Sequence, residues 1–181
     1  MSATAGKARS VLSMMSLIRT ARLLLEPLDS ACARALRDRI ADDDERTAWM
    51  QLCRTLAERP DLTSAWIVYC DGRALGTVAL MLVDDTIGEI GFLVVRPERG
   101  RGYAREAVAA VTRHAFTAIG LHRLAGVTQS DNPAAAAVLE RCGFRREGLM
   151  RGSHADGAVH RDCWLYARLA TDQELVLVKS S

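Results

Sequence analysis

The spacing of apolar and polar positions changes period several times along the chain, and each change marks an element. Arg22-Leu23-Leu24-Leu25-Glu26-Pro27-Leu28 is a short apolar run ended near a proline, the pattern of a first strand. Asp29 or Ser30 then suits a helix N-cap, with a helix over 30–41. The acidic run at 42–45 suits the start of a second helix over 45–58, because the helix dipole favours negative charge there, and Pro60 ends it. From Ser64 the period drops to that of strands. Residues 65–70, a tight turn at Asp71-Gly72 and residues 74–83 predict a hairpin. Asp84-Asp85 marks a further turn, and 87–95 completes an antiparallel meander of three strands.

A loop of arginines and glycines follows, and then the helical period returns. Ala104, Ala107, Val108, Val111, Ala115 and Ile119 fall in steps of three and four and describe one buried stripe, with Gly120 near its end. Residues 124–128 read as a strand. Asp131-Asn132-Pro133 opens a helix with proline at its first position, and Cys142-Gly143 closes it. Residues 144–150 and 159–169 form a last pair of strands joined by a Gly/His/Asp loop. There are no repeats, low-complexity stretches or linkers. The pattern predicts one domain over 17–181, preceded by a flexible extension over 1–16 in which Met14 or Met15 is an alternative start.

Composition changes this picture little. A chain of 181 residues with 49% apolar residues suits one domain with a substantial core. A net charge of +2 gives no reason to expect a nucleic-acid or membrane partner. The five cysteines are scattered and form no C-x-x-C pair, so neither a disulfide framework nor a zinc knuckle is indicated, and reduced, buried thiols in a cytoplasmic protein are expected. The apolar run after Lys7 and Arg9 is short, broken by serines and followed by no small-residue cleavage site, and no run is long enough to span a bilayer.

The candidate chemistry lies where Arg96, Arg99, Arg101 and Arg105 crowd around Gly100 and Gly102, between a strand and a helix. Flexible N–H groups, a helix N-terminus and positive charge in one place bind phosphate. No Gly-Lys-Ser/Thr is present, which argues against a P-loop. Position 105 is arginine where a dinucleotide fingerprint needs its third glycine, and the preceding strands read as antiparallel. The pattern that fits is Arg/Gln-x-x-Gly-x-Gly/Ala, here Arg99, Gly102 and Ala104.

With E-I-G-F-L-V before it, A-R-E-A-V after it, and V-T-Q-S-D-N-P-A-A-A-A-V-L-E-R-C-G-F-R-R-E-G further on, the chain resembles the GCN5-related N-acetyltransferase (GNAT) superfamily. Together with the opening R-T-A-R-L-L-L-E-P-L, the likeness is greatest to the branch that acetylates ribosomal-protein N-termini, and it covers roughly residues 19–168. It implies a single α/β domain with a mixed, mostly antiparallel sheet of six to seven strands. Helices lie on both faces of that fold, and its strands four and five splay apart. It also implies acetyl-CoA as cosubstrate without a metal, an amine acceptor (a protein N-terminus or a small molecule), and a monomer or homodimer.

The resemblance assigns roles to particular residues. The loop over Arg99, Gly100, Arg101, Gly102, Tyr103, Ala104 and Arg105 would hold the diphosphate. Backbone groups of Phe92, Leu93 and Val94 would face the pantetheine arm, with a strand N–H near Leu93 polarising the thioester carbonyl. Asn132 matches the residue that hydrogen-bonds that arm, and it equally suits an N-cap. Glu89, three residues before Phe92, is the candidate base, directly or through a water. Base catalysis matters more for a lysine, which costs ~4–5 kcal/mol to deprotonate at pH 7, than for an α-amine at ~1 kcal/mol.

The acid is open. Leu139 stands where many members have tyrosine and Ala135 where some have serine, which leaves water, Tyr103 or Cys142, and also a non-catalytic acyl-CoA-binding module, as alternatives. His154, Asp156 and His160 match no standard ligand set and read as a mobile loop near the acceptor. Trp49, Trp66 and Trp164 read as core, and Asp162 sits where the family often has an aspartate.

Overall fold

The computed structural model describes residues 16–156 and 159–172. The elements in chain order are β1 (Ile18–Arg19), β2 (Leu24–Pro27), α1 (Ser30–Arg37), α2 (Asp43–Glu58), β3 (Thr63–Cys70), β4 (Arg73–Leu82) and β5 (Ile87–Val94). They continue with α3 (Tyr103–His114), β6 (Arg123–Gln129), α4 (Pro133–Arg141), β7 (Arg145–Asp156) and β8 (Val159–Leu169). The strands form one sheet in the order β1-β2-β3-β4-β5-β6-β8-β7. Every neighbouring pair is antiparallel except β5–β6, which is parallel because α3 carries the chain back across the sheet between them.

The expected α/β fold is present, with eight strands instead of six to seven. The additional one is the two-residue β1, too short to leave a period in the sequence. The first helix ends at Arg37, four residues before the expected 41. Its ladder tightens there, with the N–H groups of Arg39 and Ile40 donating to the carbonyls of Leu36 and Arg37, three residues back. Its start follows the sequence: Asp29 caps it, accepting from the N–H groups of Ala31 and Cys32 at 2.8 Å each. The stripe expected on the long helix is observed, with Ala107, Val108, Val111 and Ala115 fully buried. Beyond His114 the chain widens through one π turn (Ala115–Ile119) and stops at Gly120, whose φ of +77° suits glycine.

Apolar side chains fill both faces of the sheet. On one, Leu25, Trp66, Val78, Leu80, Ile90, Leu124 and Tyr166 pack against α3 and α4. On the other, Ile67, Ala74 and Val95 pack against Leu36 and Ile40 of the α1 region and Trp49 of α2. Trp49 and Trp66 are thus core, as expected, while Trp164 is half-buried beneath the Arg146 guanidinium, 4.6 Å from its ring centre. The helices of the second face lie against β3, β4 and β5 and leave β6, β8 and β7 without one.

Two further expectations change. The stretch read as a loop after 150 is largely ladder, with His154 opposite Arg161 and Ala155 opposite His160; Gly157 and Ala158 lie outside the described residues. Cys53 is exposed, whereas the other four cysteines are buried, and all five are free. No metal-holding cluster occurs among the described residues. No described helix is long and apolar enough to cross a membrane. The N-terminal extension and the alternative start lie outside the described residues, apart from Ser16.

Candidate functional site

The parallel ladder between β5 and β6 runs from Ile87 opposite Arg123 to Ile90 opposite Gly126 and then stops, although both strands continue, β5 to Val94 and β6 to Gln129. Residues 91–94 keep their pairing with β4, so only their β6-facing side is open. A backbone side left open inside a sheet needs a partner, and an extended amide-bearing chain can supply one.

Peptide planarity tells which groups face the opening. The Val95 N–H donates to the Leu75 carbonyl on β4, so the Val94 carbonyl, on the other side of that peptide, points into the gap. The Leu93 carbonyl leans over Gly76 of β4, so close that a Cβ there would sit 2.0 Å from it, and the Val94 N–H therefore also points into the gap. Any residue but glycine at 76 would push this strand end out of place. Val94, and by strand alternation Phe92 two residues before it, thus face the opening with their backbone, and Leu93 turns its carbonyl to β4.

The chain then makes a 3-10 turn (Arg96–Glu98) and reaches Gly100 and Gly102, both at φ +78°. Gly102 precedes α3 without a side chain to cap it. The N–H groups of Gly100, Arg101 and Gly102 have no acceptor among the described residues, and those of Tyr103, Ala104 and Arg105 fall in the first helical turn, where none is available. The first ladder bond is Glu106 N–H to the Gly102 carbonyl. Six consecutive N–H donors, with open space at Gly100, are thus left without an acceptor of their own, the kind of group that an anion can satisfy.

The arginines of the loop are not all free to serve it. The Arg99 guanidinium donates through Nε to the Val94 carbonyl at 2.9 Å and through Nη2 to Glu45 at 2.7 Å. Arg101 lies 3.4 Å from Glu98, and Arg96 pairs with Asp42. Arg105 is exposed and its side chain has no hydrogen-bond or ion-pair partner among the described residues; its carbonyl accepts from the Cys142 thiol at 3.4 Å. Behind the loop, Tyr103 lies under the Arg22 guanidinium, 4.9 Å away. Glu106 accepts from the Thr20 hydroxyl (2.5 Å), the Arg22 N–H (3.0 Å) and the Arg22 guanidinium (2.7 Å). Burial pushes the Glu106 carboxyl up, but these donors outweigh it and hold it below its ordinary value. Glu45, Glu98 and Glu106 escape sequence reasoning because a lone glutamate carries no motif; the one available signal was an acid, Glu98, in the middle of a basic run.

A family model for the acetyltransferase (GNAT) domain matches residues 22–145, which includes every group just described except Thr20. The chain belongs to this family. Among curated relatives, the probable N-acetyltransferase YjcK of Bacillus subtilis is 32% identical over 107 residues, 58% of this chain and 59% of that protein. The spermidine N(1)-acetyltransferase of Escherichia coli K12 is 28% identical over 85 residues, 46% of each. The chain thus spans about half the length of these curated relatives. Among solved structures, the ribosomal-protein α-N-acetyltransferase RimL in complex with coenzyme A superposes with a TM-score of 0.70 at 18% identity, covering 85% of this chain and 98% of that one.

In this GNAT domain the remaining candidate residues divide between the two faces. Strand alternation puts Glu89 on the face opposite Ile90 and Phe92, away from α3 and α4. Its carboxylate is partly exposed and makes no hydrogen bond or ion pair among the described residues. On the same face, the register aligns Glu89 with Ala125, and Val127 with Leu165 and Gly148. Tyr103 and Cys142 pack on the other face, and burial pushes the Cys142 thiol up. Leu139 is fully buried against Gly126, where a Cβ would meet it at 2.9 Å. Asn132 caps α4, its Oδ1 accepting from the Ala135 N–H at 3.0 Å, which leaves its amide NH2 available. Asp162 accepts from the Gly152 N–H at 2.8 Å and fixes the β7–β8 hairpin.

Proposed function

We propose that this chain transfers the acetyl group of acetyl-CoA to a primary amine, most favourably the α-amine of a protein or peptide. The observation that carries the reading is the run of six unpaired N–H groups at the start of α3, set beside the end of β5 that β6 leaves open. Acetyl-CoA would supply an activated thioester. The donors of residues 100–105 would take the diphosphate, and the open end of β5 would take the pantetheine. The Val94 N–H, turned into the opening, would receive the carbonyl oxygen as negative charge develops on it. The Asn132 amide would donate to the arm while its oxygen keeps its cap.

Glu89 would receive the ammonium proton, directly or through a water, so that the neutral amine attacks. Tyr103 and Cys142 lie on the other face, so the released thiolate is protonated from water. The face that carries Glu89 supports an acceptor with a single amine. The β6 and β8 side chains beside it are Ala125, Val127 and Leu165, and on the same face of β6 Arg123 is paired with Glu147. Among the described residues Glu89 is thus the unpaired carboxylate there, whereas a polyamine would be better matched by several. An α-amine also needs the least help to deprotonate.

The test is thiol release from acetyl-CoA with N-terminal peptides, lysine peptides, spermidine and aminoglycosides as acceptors. The expected result is fastest turnover with N-terminal peptides, and Glu89→Gln lowering kcat about 10- to 100-fold with unchanged acetyl-CoA affinity. Acetyl-CoA binding without thiol release for any acceptor would instead assign an acyl-CoA-binding module. A faster rate with spermidine would reverse the order of acceptors.

A further inference from the structure

The loop over residues 96–102 rests on two carboxylates buried beneath its arginines. Glu45, in the first turn of α2, is 2% exposed, and its Oε1 accepts from both the Arg96 N–H and the Arg99 guanidinium at 2.7 Å each. Its Oε2 is buried and makes no hydrogen bond. Glu98, in the loop itself, is 3% exposed. It accepts from Arg39 at 2.8 Å, with Arg101 at 3.4 Å and Arg73 at 3.7 Å. Arg99 also donates to the Val94 carbonyl, so one guanidinium ties together the end of β5, the loop and α2.

We infer that Glu45 and Glu98 are positioning residues that hold the loop in its anion-accepting shape, and that Arg99 acts as a strut in this arrangement more than as a phosphate ligand. Two arguments carry it. First, a carboxylate taken out of water needs strong partners, and the partners here are the loop's own N–H and guanidinium groups, so any movement of the loop strands a buried charge. Second, negative charge beneath a site for a dianion weakens it electrostatically unless the carboxylates contribute by geometry. The six donors converge only while residues 96–102 keep their course, and Glu45 fixes that course at Arg96 and again at Arg99.

The inference rests on the acetyl-CoA reading, and the sign of one substitution tests it. If Glu45 is a strut, Glu45→Gln weakens acetyl-CoA binding; if it merely competes with the diphosphate for Arg99, the same change tightens it. Calorimetric titration of acetyl-CoA should show about tenfold weaker binding for Glu45→Gln, with kcat at saturation within about twofold. Arg99→Lys, which keeps the charge but loses the fork, should fall by a similar factor, and the double variant by little more than either single change. The rate constant kcat/KM with S-acetylpantetheine, a donor without the diphosphate, should fall clearly less than with acetyl-CoA, since residues 91–94 keep their ladder with β4 and lose at most the Arg99 contact to the Val94 carbonyl.

Amide exchange over residues 96–105 in the unliganded protein should speed up in Glu45→Gln. This readout stands even if wild type binds another anion in place of acetyl-CoA, so the two readings fail separately. Should Glu45→Gln not fold, Glu98→Gln carries the same expectations from the other side of the loop. Tighter or unchanged acetyl-CoA binding, an equal loss with S-acetylpantetheine, or unaltered exchange would each overturn the inference.

Discussion

Two helices begin at the ends of the parallel strand pair, and they begin differently. Helix α4, after β6, opens on Asn132, whose side chain accepts from the Ala135 N–H, and on Pro133, which has no N–H to satisfy. Helix α3, after β5, opens on Gly102 with no capping side chain, and its first donors have no acceptor. The first arrangement supplies its own cap. The second forgoes a cap, on the order of 1 kcal/mol, and keeps its N–H groups and the positive end of the helix dipole for something outside the chain. At α1, where no ligand is expected, the chain again caps itself through Asp29. Within one molecule, a bare N-terminus preceded by left-handed glycines is therefore a sharper reason to propose a binding site here than the positive charge around it.

The most damaging way to erase this difference is to give α3 an anion of its own. Gly100→Asp has room for its side chain, since nothing lies within 4 Å of the added Cβ; at φ +78° it costs about 1 kcal/mol of backbone strain, less for aspartate than for most residues. A carboxylate among the donors would repel the diphosphate, and at ~4 Å this is worth several kcal/mol even with strong screening. Acetyl-CoA affinity should fall at least about 100-fold, while the melting temperature falls by only a few degrees, roughly the strain of the new side chain. Unchanged affinity would show that the bare terminus is not the anion site.

At α4 the question is whether Asn132 does more than cap. Asn132→Ala removes both the acceptor and the amide donors, and should cost about 1 kcal/mol of stability, seen in the denaturant midpoint. Asn132→Asp keeps the cap and adds favourable charge at the helix start, but has no NH2 group. The aspartate variant should therefore be as stable as wild type, with the KM for acetyl-CoA raised about fivefold. A wild-type KM in Asn132→Asp would reduce Asn132 to a cap.

The loop, the helix stripe behind it and the strands around it were legible because each depends on local pattern: glycines between a strand and a helix, and apolar steps of three and four. The sequence also singled out Asn132, since Asp-Asn-Pro before an apolar run is a local signal. What could not be read depends on contacts distant along the chain. Arg99 lies in a motif and looks like a phosphate ligand, yet its guanidinium meets Glu45, 54 residues away in sequence. Leu93 looks equivalent to Val94, and only the bond from Val95 to Leu75 on β4 reveals which of the two faces the gap. β1 is two residues long and exists because β2 offers it an edge, which no periodicity records.

The smallest expected effect concerns what holds the bare end of α3 without capping it. Glu106, in the first turn, grips the Thr20 hydroxyl and the Arg22 backbone and guanidinium, while Arg22 also donates to the Arg101 carbonyl at 3.1 Å. Glutamine at 106 would turn an amide toward donors that need an acceptor. Because Arg22 is half exposed, solvent screens the pair, and the loss should be on the order of 1 kcal/mol at neutral pH. The sign of its pH dependence follows from the Glu106 carboxyl lying below its ordinary value. Such a group stabilises the fold above the unfolded value of about 4.3, and loses that contribution as pH falls through the lower folded value. The melting temperatures of wild type and Glu106→Gln should therefore differ at pH 7 and converge in acid. A gap that stays constant down to pH 3 would mean that the charge of Glu106 is not what ties β1 and β2 to the helix. Acetyl-CoA affinity should be nearly the same in both proteins, since the substitution leaves all six donors in place, and a large loss would make the tie to Thr20 and Arg22 part of the site itself.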